Sequence, residues 1–334
     1  MADGDRREEV FGHEPVMVAE ALTYLNPQPG GRFLDLTVGA GGHARAILER
    51  IGPSGLFVGV DRDGETLQSA AEGLRRDFPH ARFLHANFAE IDELCRHLGS
   101  IRFHGLLLDL GLSSVQLADE ERGFSFLRSG PLDMRMDRTE GGTAAELLER
   151  LPAGELERVI REYGEERHAR RIARAIVRER RRRPIAGTTR LAALIEHVTP
   201  SRRGRIHPAT RTFQALRIAV NVELGSLERF LARFPRLLDP QGVVVAICFE
   251  SLTDRLVKRR FRRCAREGWL DVLTPKPVRP GREEIERNRR ARSAKLRAAR
   301  LLRQPDFPGE KCDAASSAGD PRGASGTPRD FPGV

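Results

Sequence analysis

The stretch Arg32-Phe33-Leu34-Asp35-Leu36-Thr37-Val38-Gly39-Ala40-Gly41-Gly42-His43-Ala44 decides how the rest of the chain is read. An apolar run ending in an acid reads as a buried strand. The glycines read as a tight loop, and Ala46, Ile47 and Ile51 form one face of a helix that Gly52-Pro53 stops. Gly39-Ala40-Gly41-Gly42-His43-Ala44 fits G-x-G-x-x-A between strand and helix, and Asp61 closes the next apolar run about 20 residues on. Glycines let the backbone turn sharply beside a ligand, and a carboxylate at the end of the second strand accepts both hydroxyls of a ribose. The pattern specifies an adenosine cofactor without saying which. A nicotinamide dinucleotide carries a pyrophosphate that rewards helix N-termini and basic groups, whereas S-adenosylmethionine carries a sulfonium and an ammonium that reward carboxylates. Asp35, Asp61 and Asp109 would all stand at the carboxyl edge of the sheet, which favours the methyl donor. Asp35 has a second reading, as a carboxylate that caps backbone N–H groups of its own loop.

Working outward, strands are expected at 32–36, 56–61, 81–86 and 105–110, separated by helices at 42–51, 65–76 and 91–98, with a first helix over 15–25. Such alternation predicts an α/β fold, a Rossmann-like, doubly wound and mostly parallel sheet. From 117 to 211 only helical periodicity is found, with helices expected at 144–151, 154–163, 168–181 and 189–198: an inserted all-helical domain. The β/α pattern resumes with one helix over 212–233, a strand at 242–249, a basic helix at 254–267 and a short strand near 269–273. The chain thus divides into a first part of the sheet domain (1–116), the insertion (117–211), a second part (212–303) and a tail (304–334). The tail's Pro, Gly, Ser and Asp content predicts disorder.

The chain has 334 residues, with 57 Lys+Arg against 47 Asp+Glu. Residues 1–150 hold 16 basic and 25 acidic side chains, and residues 151–334 hold 41 and 22. A basic second half predicts a polyanionic partner, RNA first. Only four of the basic residues are lysines, so the charge is mostly forked guanidinium, suited to phosphate. It gathers in Arg167-His168-Ala169-Arg170-Arg171, in 178–183, in Lys258-Arg259-Arg260-Phe261-Arg262-Arg263 and in 287–303, where C-terminal helices are expected to hold phosphates. No apolar run approaches the roughly 20 residues of a membrane helix, and Asp3, Asp5, Glu8 and Glu9 do not fit a signal peptide, so a cytoplasmic protein is expected. Cys95, Cys248, Cys264 and Cys312 form no C-x-x-C pair, which argues against a disulfide framework or metal site.

Several segments taken together resemble one family closely. They are His13-Glu14-Pro15-Val16, 35–43, Asp61-Arg62-Asp63, Leu108-Asp109-Leu110-Gly111-Leu112-Ser113-Ser114, Gln116-Leu117, Arg122-Gly123-Phe124-Ser125-Phe126, 131–137, Tyr163-Gly164-Glu165-Glu166-Arg167 and 207–215. Over about residues 12–300 the chain is similar to the bacterial ribosomal RNA small subunit methyltransferase H family. The resemblance implies S-adenosylmethionine-dependent methylation of the exocyclic N4 of a cytidine in 16S rRNA, at the decoding centre of the small ribosomal subunit. It implies cofactor contacts at Gly41, Gly42, His43, Asp61, Phe88, Asp109 and Gln116. The family's usual Ser-Phe-His-Ser-Leu-Glu-Asp-Arg is here Cys248-Phe249-Glu250-Ser251-Leu252-Thr253-Asp254-Arg255, and its Asn-Pro-Arg-Ala-Arg-Ser is Asn288-Arg289-Arg290-Ala291-Arg292-Ser293. Glu250 replaces a His beside the expected substrate pocket.

Methyl transfer to nitrogen needs positioning and an acceptor for an amine proton. Asp109 or the Leu110 carbonyl, with Ser113 assisting, is expected to serve, and Asp109 is expected to orient more than to act as a base, an ordinary aspartate pKa being about 3.9. Methylation at carbon-5 would need a cysteine nucleophile; Cys248, inside an apolar strand, reads as a buried structural thiol. Arg135, Arg211 and Arg255 are expected to contact RNA, or else to pair with Asp133, Asp137 or Asp254. The residues leave two alternatives open: a nicotinamide-dependent oxidoreductase with an RNA-binding extension, and a catalytically silent RNA-binding paralogue.

Overall fold

A computed structural model describes residues 15–99, 101–199 and 207–305. His13 and Glu14, Cys312 and the tail from 306 onward lie outside the described residues. The described residues up to Gln304 pack as one unit.

Helix α1 (Val18–Leu25) lies against the sheet ahead of strand β1 (Arg32–Asp35). Then come α2 (Gly42–Ile51), β2 (Leu56–Asp61), α3 (Gly64–Asp77), β3 (Arg82–His85), α4 (Ile91–Leu98) and β4 (Phe103–Leu110). Helices α5 (Ser114–Ala118), α6 (Ala144–Arg150), α7 (Ala153–Gly164), α8 (Ala169–Arg180) and α9 (Thr188–Val198) follow without a named strand among the described residues. Then α10 (Thr210–Val220) and α11 (Glu223–Arg233) lead to β5 (Leu238–Cys248), α12 (Ser251–Arg266), β6 (Leu270–Asp271), α13 (Arg282–Arg287) and β7 (Lys295–Leu301).

The seven strands form one sheet in the order β3-β2-β1-β4-β5-β7-β6. The first five are mutually parallel, and β7 runs antiparallel between β5 and β6. Because β2 lies on one side of β1 and β4 on the other, strand order reverses between β1 and β4. Asp35 pairs with Leu107 there, so the carboxyl ends of the two strands open a crevice where open α/β sheets bind ligands. Both faces of the sheet are covered, one by Leu94, Phe230, Phe234 and Phe261, the other by Leu22, Ile47, Leu48 and Leu74. The near-continuous apolar strands follow from burial on both sides. A third apolar cluster lies among the helices, built on Met134, Leu148, Ile160, Ile172, Ile176 and Ile195 and reaching Phe213 and Leu216 of α10.

Two expectations are corrected. The single helix over 212–233 is two, broken at Asn221 and Val222, where Val222 has φ 49°. Asn221 turns its amide into the loop between α5 and α6: its Oδ1 accepts from the Met136 N–H at 2.8 Å and its Nδ2 donates to the Met134 carbonyl at 2.7 Å. Those bonds compensate the interruption. The basic run 287–303 is not helix throughout, since Lys295–Leu301 is strand β7. Its Arg297 is buried against Asp254, with Nε donating to Oδ1 at 2.6 Å, so this arginine holds α12 to the sheet. Leu296, Ala298 and Leu301 bury the strand, and the arginines between them hide its period in the sequence.

Candidate active site

Asp35, Asp61 and Asp109 stand on β1, β2 and β4 at one edge of the sheet. Gly41, with φ 87°, turns the chain into α2, a conformation that would strain any side chain. A Cβ on Gly42 would come within 2.6 Å of the Pro15 ring, so that glycine lets the segment before α1 close over the loop.

The carboxylates are differently employed. Asp61 accepts the Gly39 N–H at 2.8 Å and the Asp63 N–H at 2.9 Å, fixing the glycine loop to the end of β2, and burial pushes its carboxyl up to about 6. Asp35 accepts the Thr37 N–H at 3.0 Å through Oδ1, the loop-capping role, while its Oδ2 is buried without a partner. Burial pushes Asp35 up to about 8, and Asp109 and Asp61 nearby add to the rise. The Asp109 N–H donates to Thr37 Oγ1 at 2.6 Å, which seats β4 against the loop. Its Oδ1 is likewise buried and unpartnered, and burial lifts its carboxyl to about 7. The nearest cation candidate is His43, whose Nδ1 lies 3.7 Å from Asp109 Oδ2. That ring is neutral at pH 7, because burial pushes it down to about 4; its Nε2 is 3.0 Å from the Val16 carbonyl and so carries the proton. Asp109 thus shares the crevice with two other acids, and the imidazole beside it carries no charge.

Asp63 provides the contrast two residues beyond Asp61. Burial pushes its carboxyl up, but bonds from Arg122 and Gln116 hold it below the ordinary carboxylate range. Arg122 Nη2 donates to Asp63 Oδ2 at 2.7 Å and to the Met136 carbonyl at 2.8 Å, with both side chains buried. Gln116 Nε2 donates to the same carboxylate at 2.7 Å, and Gln116 Oε1 accepts the Ser113 N–H at 3.0 Å. The Ser113 hydroxyl in turn accepts the Gln116 N–H at 3.1 Å, so the two residues form a capping box that starts α5.

Gly41, Gly42, His43, Asp61, Asp109, Ser113 and Gln116 are thus brought together at the glycine loop and the segments that close on it, with His43 and Gln116 buried and occupied. Phe88, after β3, packs edge-on against Phe230 at 5.7 Å. Arg135, Arg211 and Arg255 are not collected with them. Arg135 binds both oxygens of Asp133, at 2.8 and 2.9 Å, and Arg211 donates to the Glu165 carbonyl at 3.3 Å. Arg255 donates to the Glu165 carboxylate at 2.8 Å, not to Asp254. Cys248 is fully buried and its thiol is pushed up to about 12 by burial, which leaves no nucleophilic thiolate at neutral pH. Glu250 pairs with Arg217 at 3.0 Å, and Arg217 also binds Glu223 at 2.7 and 2.9 Å. Sequence reasoning missed the structural parts played by Thr37, Asp63 and Arg122. Asp63 and Arg122 lie in resemblance segments, yet nothing local in the sequence pairs an acid with an arginine so far along the chain.

The MraW methylase family model matches residues 10–302. The chain belongs to the MraW methylase family. It is 50% identical over 307 residues to the ribosomal RNA small subunit methyltransferase H of Thermomicrobium roseum, covering 87% of this chain and 94% of that one. It is 49% identical over 311 residues to the protein of the same name from Trichlorobacter lovleyi, covering 88% and 99%. Among solved structures, an S-adenosylmethionine-dependent O-methyltransferase from Thermotoga maritima aligns over 91% of this chain and 72% of that one, at 9% identity and a TM-score of 0.42.

For a methylase of the MraW family the methyl donor is S-adenosylmethionine. The crevice fits it on its own chemistry. Buried carboxyl oxygens without partners, at Asp35 and Asp109, are costly unless a cation or donor meets them, and the methyl donor brings both a sulfonium and an ammonium.

Proposed function

We propose that this methylase transfers a methyl group to the exocyclic N4 of a cytidine in 16S rRNA, at the decoding centre of the small ribosomal subunit. The observation that carries the chemistry is the unpartnered Asp109 Oδ1 beside Asp35 at the switch point of the sheet. The names of the relatives, at about half identity over nearly the whole chain, and the basic second half support rRNA as the substrate.

In this reading Asp61 receives the ribose hydroxyls, since each of its oxygens spends one lone pair on a backbone N–H and keeps another. Gly41 lets the loop approach the cofactor, Phe88 offers an apolar ring to the adenine, and Gln116 and His43 hold the loop's shape. When bound, S-adenosylmethionine supplies an electrophilic methyl carbon. Asp109 is held ionised by the cation that enters, and its Oδ1 then accepts an N–H of the cytosine amine, localising the nitrogen lone pair. The ionised carboxylate orients the amine and is placed to take its proton as the methyl group is transferred. Ser113, whose oxygen already accepts from Gln116, keeps its O–H free to donate to the base. Residues 117–211 are the substrate-recognition part, and the target base leaves its stack to reach the crevice.

The test is incubation of the protein with labelled S-adenosylmethionine and small subunits lacking the modification, followed by nucleoside analysis. Label on N4-methylcytidine is expected; label on another nucleoside, or none, overturns the reading.

A further inference from the structure

Helix α8 has two unlike faces. Ile172, Ala173 and Ile176 are buried in the helical core, while Arg170, Arg171, Arg174 and Arg178 are exposed, with Arg167 just before the helix. Across from them His197, near the end of α9, closes a groove of about 650 Å³ lined by these arginines and floored by Ala175 and Val198. The arginines sit at i, i+3 and i+4 spacings, where like charges oppose helix formation by a few tenths of a kcal/mol per pair. Among the described residues no carboxylate lines the groove. Nearby acids are engaged elsewhere: Glu179 with Arg190 at 2.7 Å, Glu196 with His207 at 2.8 Å, and Glu166 with the His168 N–H at 2.8 Å. A self-repelling face kept free of counter-charge is built for an anion from outside.

We infer that the groove between α8 and α9 docks the phosphate backbone of the RNA substrate, by guanidinium contacts that position the RNA without reading its sequence. This rests on the proposed rRNA methylation. Guanidinium forks match phosphate oxygens in pairs. At 1.5 Å per residue, Arg167 to Arg178 extends roughly 16 Å, enough to follow several consecutive phosphates. Among the described residues five arginines line the groove against two histidines and no Phe, Tyr or Trp, so phosphate positioning is the task its charge favours. The face also begins beside the reaction site's edge of the sheet: Glu165, two residues before Arg167, accepts from Arg255 of α12, the helix that follows the carboxyl end of β5.

The experiment compares the full chain with the triple variant Arg171→Gln, Arg174→Gln, Arg178→Gln and with the matching triple Lys variant, using an unmodified 16S rRNA transcript as probe across a salt series. Each phosphate contact on single-stranded nucleic acid contributes about 0.7 to the slope of log affinity against log salt, so the Gln variant's slope is expected to fall by about 2, with affinity down roughly tenfold to fiftyfold near physiological salt. The Lys variant keeps most of the slope. In methylation assays the Gln variant raises KM for RNA while kcat at saturation persists. Calorimetric uptake of S-adenosylmethionine stays unchanged in both, so a parent chain that binds RNA through the groove but takes up no methyl donor would sink the proposed function and not the groove. Affinity and slope unchanged by the Gln substitutions would overturn the groove. Phenylglyoxal footprinting of the parent chain gives an answer independent of how the variants fold: RNA should shield Arg170, Arg171 and Arg174 relative to exposed Arg76, and equal reactivity would count against the proposal.

Discussion

The rim of the sheet and the outer face of α8 are both places where like charges crowd together, but they are built differently. At the rim, three carboxylates are desolvated, so burial is what makes their negative charge expensive, and Asp35 and Asp109 each keep an oxygen without a partner. On α8 the arginines are solvated, and it is spacing that makes their charge self-opposing. A desolvated site suits a small cation that must be gripped and oriented, whereas a solvated one suits a polyanion that must be caught and released as salt competes. Asp63 and Arg122 show that the chain can neutralise a buried acid when the acid's work is structural. Leaving an oxygen of Asp35 and of Asp109 without a partner is therefore a property of that crevice and not of acids in this fold generally.

The largest expected effect comes from removing the acid with the open oxygen. Asp109→Ala should lower methyl transfer by about 10²- to 10⁴-fold, the usual range for a positioned acid–base group, without loss of fold. Single-turnover assays with labelled donor read this directly, and a variant retaining normal rates would remove Asp109 from the chemistry. Next is the neutralised acid. Arg122→Met strands Asp63 in the interior and should cost about 3–5 kcal/mol in denaturant unfolding, the range for breaking a buried ion pair. A loss under about 1 kcal/mol would mean that Gln116 alone compensates Asp63.

The pH dependence sharpens the same contrast. Asp35, Asp109 and Asp61 have folded-state values raised to about 8, 7 and 6. A raised carboxyl favours the folded state when protonated, so its contribution is complete below the ordinary value of about 4 and is lost as pH climbs through the folded value. Between about pH 5 and pH 8 the ligand-free protein should lose stability, while Asp63, with its lowered value, is ionised throughout and adds no slope. A bound cation favours the ionised acids, so the rise in Tm produced by S-adenosylmethionine should grow over that window, with proton release detectable by titration in buffers of different ionisation enthalpy. A ligand-induced shift that is flat with pH would contradict the uncompensated rim.

How much of this was legible in the sequence follows from how local each signal is. The glycine loop, the strand before it and Asp61 after it are short-range patterns, and β1, α2 and β2 lie almost where their apolar periods place them. The helices at 144–198 were equally readable, because each carries its own buried stripe. Strand β7 was hidden because its charged residues find partners on α12, a tertiary matter, and the break at Asn221 because the amide's partners lie at Met134 and Met136. The site divides the same way. That three acids would share an edge could be read from their positions at strand ends; that Asp63 is closed off by Arg122 could not, since the pairing is set by how the loop after β4 folds back.

Glu250 tests the smallest difference. It caps α12 just beyond the end of β5, and a free carboxylate there would add a fourth acid to the rim. The structure ties it instead to Arg217, which Glu223 also holds. Burial pushes the Glu250 carboxyl above the ordinary carboxylate range, against the pull of Arg217 and helped by Glu223. Glu250→Gln resembles its protonated form and still offers Arg217 an acceptor, so stability at about pH 6 should change by no more than about 1 kcal/mol, the scale of one hydrogen bond. Because a raised carboxyl loses its stabilising contribution as pH rises above the ordinary carboxylate value and the amide does not, the variant's stability relative to the parent should increase with pH. Methylation should stay within about threefold, the rate change that roughly 0.7 kcal/mol produces. A folded variant whose kcat falls a hundredfold would move Glu250 from the Arg217 cluster into the reacting site, and the rim would then hold four working acids instead of three.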